Sequence, residues 1–253
     1  MHKPAAPAAY TPARVPDGCR VYAVGDIHGR LDLLERLLER MAEDAARRPG
    51  PKRLVIVFLG DYVDRGPNSR MVVERLMQGP PADGPLAGAE WICLKGNHED
   101  YLVRFLDEMG VGPAWCLNGG YETLRSYAGE LPDRVGGDMA ALQLLLSRSL
   151  PPAHLRFLAR LPLTHREGDY LFVHAGIRPG TAIADQAPAD LLWIRDEFLH
   201  DRSAHEAVVV HGHSPSPTPE IRPHRIGIDT GAYYSGHLTA LVLEGTDRRF
   251  LVS

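Results

Sequence analysis

Gly60-Asp61-Tyr62-Val63-Asp64-Arg65-Gly66 follows Leu54-Val55-Ile56-Val57-Phe58-Leu59, an apolar run with no polar residue inside it. Short and rich in β-branched side chains, the run reads as a buried central strand. With both faces buried, polar chemistry is confined to the strand's end, so two carboxylates and an arginine stand where open α/β sheets bind ligands. Two other stretches have the same form. Arg20-Val21-Tyr22-Ala23-Val24 runs into Gly25-Asp26-Ile27-His28-Gly29, and Trp91-Ile92-Cys93-Leu94 runs into Lys95-Gly96-Asn97-His98-Glu99. Each is a strand, then a glycine that frees the backbone to turn or to approach a ligand, then metal-type ligands. Asp26 and Asp61 are 35 residues apart and Asp61 and Asn97 are 36, spacings that fit two successive βαβ units of at least ~30 residues. Three strand ends are expected to converge.

The chain has 253 residues, within the range of a single α/β domain. Its apolar content of 44% and charged content of 24% are those of a soluble globular protein. A net charge of −4 with a pI near 6.3 leaves no basic footprint, which argues against nucleic acid as a partner. Cys19, Cys93 and Cys116 are odd in number and widely spaced, which argues against a disulfide framework and suits a reducing compartment. Cys93, inside an apolar strand, is expected to be a small buried hydrophobe. No apolar run reaches the ~18 residues that cross a bilayer, and Met1 to Pro16 lacks the apolar core of a signal peptide. The expected location is cytoplasmic, with no membrane partner; oligomeric state is left open.

Residues 1–16, rich in proline and alanine, are expected to form a disordered tail, leaving one domain over 17–253. Leu31, Leu34, Leu37, Leu38 and Met41 recur at helical spacing and predict a helix from about Arg30 to Arg47, ended by Pro49-Gly50-Pro51. Helices are also expected over Ser69 to Gln78 and His98 to Met109, the second aiming its N-terminus at the site, where it favours phosphate. Residues 110–165 break the βαβ alternation with helical segments over Glu122 to Tyr127, Met139 to Ser149 and Ala153 to Leu161. They are expected to form a cap over the site that selects substrate. Within it, Trp115, Asn118, Gly119, Gly120 and Tyr121 can form a lid or simply anchor the cap. The last third reads as strands over Tyr170 to His174, Ala207 to His211, Arg225 to Ile228, His237 to Glu244 and Arg249 to Val252, expected to build a second sheet.

Taken in order, the motifs at Gly25 to Gly29, Gly60 to Gly66, Gly96 to Glu99, His174 to Gly176 and Gly212 to His213 resemble those of the phosphoprotein phosphatase family within the calcineurin-like metallophosphoesterases. The resemblance spans residues 21 to 241. It implies an α/β fold with a central β-sandwich of two mixed sheets, flanked by helices and carrying the helical cap.

Phosphate esters resist hydrolysis because water is a poor nucleophile and the phosphoryl oxygens repel it; two metal ions ~3.5 to 4 Å apart answer both problems. The resemblance implies that Asp26 and His28 bind one ion, that Asp61 bridges, and that Asn97, His174 and His213 complete the second. His211 also adjoins Gly212, and its choice against His213 rests on the family pattern alone. The ions are expected to be manganese, with iron or zinc as alternatives, because the ligands mix oxygen and imidazole. His98 is not counted as a ligand. Held by Asp64 in its protonated form, it can donate a proton to the leaving alkoxide. Arg65 offers a planar fork for phosphate oxygens, and Arg195 matches the family's second phosphate-gripping arginine. Asp229 is read as structural or as support behind the ligands. The implied reaction is in-line attack by a metal-bridging hydroxide without a covalent phosphoenzyme.

Among functions, the chain most resembles a serine/threonine protein phosphatase of the compact bacterial and phage type, with a phosphoprotein as substrate. The rival is a symmetrical dinucleoside tetraphosphatase or another small-molecule phosphoesterase. In that tetraphosphatase family the position of Asp64 is typically alanine and that of Glu99 typically aspartate. A catalytically silent binding scaffold is a third reading, which would be expected to have lost ligands; none is missing.

Overall fold

The structure, a computed structural model, describes residues 12–131 and 137–253. Strand β1 (Cys19–Val24), helix α1 (Leu31–Arg47), β2 (Arg53–Phe58), α2 (Ser69–Gln78), β3 (Glu90–Cys93) and α3 (Asn97–Phe105) form the first half. The strands β1, β2 and β3 pair in parallel, so the two predicted βαβ units are present. Four helices follow: α4 (Gly112–Trp115), which runs through a wide turn into α5 (Tyr121–Ala128), then α6 (Met139–Ser149) and α7 (Pro152–Ala159). The second half contains β4 (Thr164–Glu167), β5 (Tyr170–Val173), α8 (Pro188–Trp193), α9 (Asp196–Leu199), β6 (Val208–His211), β7 (Glu220–Ile221), β8 (Arg225–Gly227), α10 (Ala232–Ser235), β9 (Thr239–Glu244) and β10 (Asp247–Val252).

Two five-stranded mixed sheets result, ordered β10-β9-β1-β2-β3 and β4-β5-β6-β8-β7. Alternation along each strand sorts its side chains between two cores. Val21 and Ala23 of β1 and Val55 and Val57 of β2 face Tyr170, Phe172, Val210 and Ile226 of the second sheet. Tyr22, Val24, Ile56 and Phe58 turn the other way, onto Leu33, Leu34, Leu37 and Met41 of α1 and Val72, Val73 and Leu76 of α2. The far face of the second sheet buries Leu171, Val173 and Val209 under Leu191 of α8 and Phe198 of α9. Helices α4 to α7 contribute Trp115, Leu124, Leu142, Leu146 and Leu158 to the same core as α1 and α2. The insertion is therefore continuous with the domain.

Several expectations are corrected. The C-terminal strands β9 and β10 do not extend the second sheet; β9 runs antiparallel to β1 and β10 to β9. The apolar run Ala240 to Leu243 in β9 lets it sit inside a sheet whose two faces are both covered. The strand β3 is an edge, so Cys93 is half-buried, while Cys19 and Cys116 are buried. Helix α3 ends at Phe105, where Leu106 N–H bonds back three residues to Val103 in place of the four-residue ladder. Strands β4 and β7 were not expected. Most of the predicted tail, residues 1–11, lies outside the described residues. Its last part is docked: Val15 is buried, and its N–H donates to the Gly245 carbonyl at 3.1 Å. No helix among the described residues is long and apolar enough to cross a membrane.

Beside the first sheet lies a polar cluster around Asp44, whose carboxylate accepts from the Tyr22 hydroxyl at 2.8 Å and from Arg249 at 2.7 Å. Burial opposes the charge on Asp44, but these bonds outweigh it and hold its carboxyl below the ordinary range. A depressed pKa stabilises the fold above the unfolded value of about 4, and that contribution is lost as pH falls through the folded value. Asp44→Ala should cost about 3 kcal/mol at neutral pH by leaving Arg249 and Tyr22 unpaired. Chemical denaturation of both proteins across pH should show the gap narrowing below about pH 4.

Candidate active site

The loops after β1, β2, β3, β5, β6 and β8 meet at one end of the sandwich, so the strand ends converge as the spacing predicted. Their turns are tight. Among the described residues, positive φ at non-glycine positions occurs at His28, Asp61, Asp64, Arg65 and His213, all of them predicted site residues. Left-handed backbone is costly for such side chains and persists where the surroundings over-determine it. Glycines permit the crowding. A Cβ on Gly60, whose φ is +103°, would lie 2.5 Å from the Gly96 nitrogen, and one on Gly212 would lie 2.0 Å from an Asp26 carboxylate oxygen.

Glu99 locks the second and third loops together. Its two oxygens accept from the backbone N–H groups of Asp61, Tyr62 and Gly96 at 2.8 to 2.9 Å and of Val63 at 3.2 Å. Burial and the nearby Asp61 push its pKa up to about 7. No structural role for Glu99 was expected; its place three residues after the helix cap Gly96 is the capping-box position, the signal that marks it. The N-terminus of α3 points at the site as expected, with His98 N–H donating to Asp61 Oδ1 at 3.2 Å.

Asp61 is the hub. His28, Asp61 and His98 bring donor atoms within 4.8 Å of one another, and so do Asp61, His174 and His213. His28 Nε2 lies 3.5 Å from one Asp61 oxygen and His174 Nε2 lies 3.4 Å from the other, so the carboxylate faces both triads. Burial opposes its charge, but the imidazoles of His174, His98 and His28 outweigh that and hold its pKa far below the usual range. Asp26 belongs to neither triad; its carboxylate accepts from His213 N–H at 3.0 Å, and burial, then Asp229 and Asp61, drive its pKa well up. Asp229 accepts from Gly231 N–H at 2.8 Å and is pushed up to about 6, by burial first.

The donor set fits metal ions. His28 Nδ1 donates to the Val63 carbonyl and His174 Nδ1 to the Leu59 carbonyl, each at 2.9 Å, which turns both Nε2 lone pairs toward Asp61. His174 Nε2 then faces Asn97 Oδ1 at 2.8 Å, two acceptors that a cation between them would satisfy. The buried Nε2 of His213 has no hydrogen-bond partner. Burial depresses the pKa of His28, His174 and His213, the last to about 2, which keeps all three neutral as ligands must be. His211 is also driven down, to about 4, but its ring lies on Phe198 at 5.1 Å and takes no part in the triads.

His98 differs from these imidazoles. Burial opposes its charge, but Asp61 and the bond to Asp64, 2.6 Å from Nδ1, leave its pKa raised. Asp64 is itself fixed by the Trp115 indole N–H at 2.9 Å and the Thr123 hydroxyl at 2.6 Å. Trp115 is thus an anchor from the insertion into the site and is fully buried; Gly119 adds a second, its carbonyl accepting from Arg65 N–H at 3.2 Å. Thr123 had no sequence signal. Arg65 Nη1 lies 2.8 Å from His28 Nε2. Arg195 stands on the exposed rim beside His213, its Nη1 3.5 Å from the Ser214 hydroxyl.

The calcineurin-like phosphoesterase profile matches residues 19–241. Curated relatives include the asymmetrical bis(5'-nucleosyl)-tetraphosphatases PrpE of Bacillus thuringiensis, 28% identical over 86% of this chain and 88% of theirs, and of Anoxybacillus flavithermus, 26% identical over the same shares. A solved structure named as a candidate diadenosine tetraphosphatase superposes with a TM-score of 0.62 at 21% identity, covering 96% of this chain and 99% of its own. A serine/threonine phosphatase of Saccharomyces cerevisiae gives 0.57 at 16% identity over 95% and 83% of the two chains. Both likenesses are of fold. On the profile match the chain belongs to the calcineurin-like phosphoesterases, hydrolases of phosphoesters that work with a dinuclear divalent metal centre.

Proposed function

We propose that the chain hydrolyses phosphomonoesters whose leaving group is an alkoxide, with serine/threonine phosphoproteins as the substrate class. The observation that carries this reading is the buried pair of His98 and Asp64, with Asp64 held by Trp115 and Thr123. A serine alkoxide is a far poorer leaving group than a nucleotide phosphate and gains most from a proton donor, a contribution typically worth ~10² to 10⁴ in rate. In this reading Asp26 and His28 would hold one ion and Asn97, His174 and His213 the other, with Asp61 shared between them and manganese as the native metal. Bound there, the ion pair supplies the nucleophile and neutralises the phosphoryl oxygens. Arg65 and Arg195 orient the phosphate through their forked N–H groups. His98 delivers its Nε2 proton to the leaving oxygen while Asp64 keeps Nδ1 protonated and the ring aligned.

A second reading is hydrolysis of dinucleoside tetraphosphates, favoured by the names of the curated relatives. Those relatives are named as asymmetrical enzymes, not the symmetrical kind expected as the rival from the motifs. Phosphate release by the manganese-loaded protein from a phosphoserine peptide, beside mononucleotide release from diadenosine tetraphosphate, decides between them. The peptide is expected to turn over faster; preference for the dinucleotide would move the substrate class and leave the metal site standing.

Two variants separate the roles. Asp61→Asn should lose both activity and paired metal, measured by elemental analysis. His98→Ala should keep its metal and lose ~10² or more in kcat on the peptide, with a much smaller loss on an activated aryl phosphate. Metal loss in His98→Ala would make that residue a ligand.

A further inference from the structure

Among the described residues, His28 and Tyr233 lie against the Arg65 guanidinium. Nη1 lies 2.8 Å from His28 Nε2, and Cζ lies 5.0 Å from the centroid of the Tyr233 ring. The first contact is incompatible with a loaded site. His28 Nδ1 is committed to the Val63 carbonyl, so Nε2 carries the ring's one available lone pair. An ion that takes this lone pair leaves nothing for an arginine N–H to bond, and its charge repels the guanidinium. The face of Tyr233, negative through its π-system, is the contact that survives.

Both partners are firmly mounted. Around α10, Gly231 N–H donates to Asp229 Oδ1 at 2.8 Å, the Ser235 hydroxyl to the Thr230 carbonyl at 2.7 Å, and Arg30 Nη1 to the Ala232 carbonyl at 3.0 Å. Tyr234 stands edge-on to Tyr233, with ring centroids 4.9 Å apart. On the other side, Arg65 is pinned by its positive φ and by its N–H bond to Gly119. The Tyr233 ring nevertheless stays 39% exposed, beside His28 at 5.6 Å and at the mouth of the site.

We infer that Tyr233 is a positioning residue for Arg65, holding the guanidinium over the phosphate subsite when the ions are bound. The inference rests on reading this pocket as a phosphoester site and is independent of which phosphoester it takes.

The test uses manganese-loaded wild type, Tyr233→Phe, Tyr233→Ala, Arg65→Ala and the double variant Arg65→Ala/Tyr233→Ala. Two readouts are taken: steady-state kinetics on p-nitrophenyl phosphate, and binding of inorganic phosphate by calorimetry. Tyr233→Ala should raise KM and the phosphate Kd about 3- to 10-fold, leave kcat within about twofold, and retain full metal content. Tyr233→Phe should restore both constants, because the ring face and not the hydroxyl does the work. On the Arg65→Ala background, Tyr233→Ala should add nothing. Unchanged constants in Tyr233→Ala, a Phe variant as weak as Ala, or additive losses in the double variant would each overturn the inference. A wild type inactive on every phosphoester would overturn the hydrolase reading instead, and the phosphate-binding arm would still decide the role of Tyr233.

Discussion

The Glu99 carboxylate is the bond on which the site depends. Four backbone N–H groups from two separate loops converge on it, three from the turn after β2 and one from the turn after β3. A buried carboxylate without such donors would be expensive, and buried N–H groups without an acceptor equally so. Each side therefore satisfies the other. The consequence is geometric: Asp61, Asn97 and His98 are presented by loops that cannot move independently, and Asp61 is held with both oxygens facing imidazoles.

A second shell of constraint comes from the insertion. Trp115 and Thr123 reach from α4 and α5 to Asp64, and Asp64 in turn holds His98. The same two helices bury Trp115 and Leu124 in the core shared with α1 and α2. Proton-donor geometry is thus tied to hydrophobic packing, and the left-handed turns at Asp64 and Arg65 are maintained by contacts on every side. The electrostatics divide the imidazoles accordingly: burial above all drives His28, His174 and His213 toward neutrality, whereas His98, with carboxylates on both nitrogens' sides, goes the other way.

Much of this was legible in the chain. The apolar run Leu54 to Leu59 and the glycine-aspartate turn after it fixed a strand with chemistry at its tip, because period, length and turn residues are local properties. The repeat of that pattern at Asp26 and Asn97 announced parallel pairing. The destination of β9 and β10 was not legible, since alternation and apolarity say that a strand is covered without saying by which sheet. Nor was the docking of Val15, whose environment is made by Gly245, far along the chain.

By itself the sequence determined most of the element types, the order of the strand ends and the motif residues that meet there, because each follows from short-range backbone preference and from motifs of a few residues. Tertiary structure alone decided what each polar atom faces. That Glu99 reaches back to the turn after β2, that Thr123 and Trp115 hold Asp64, and that Tyr233 lies under Arg65 are contacts across 36 to 168 residues. No local pattern encodes such contacts. They arise because two sheets and an inserted helical segment, each folded for its own apolar face, close upon the same end of the molecule.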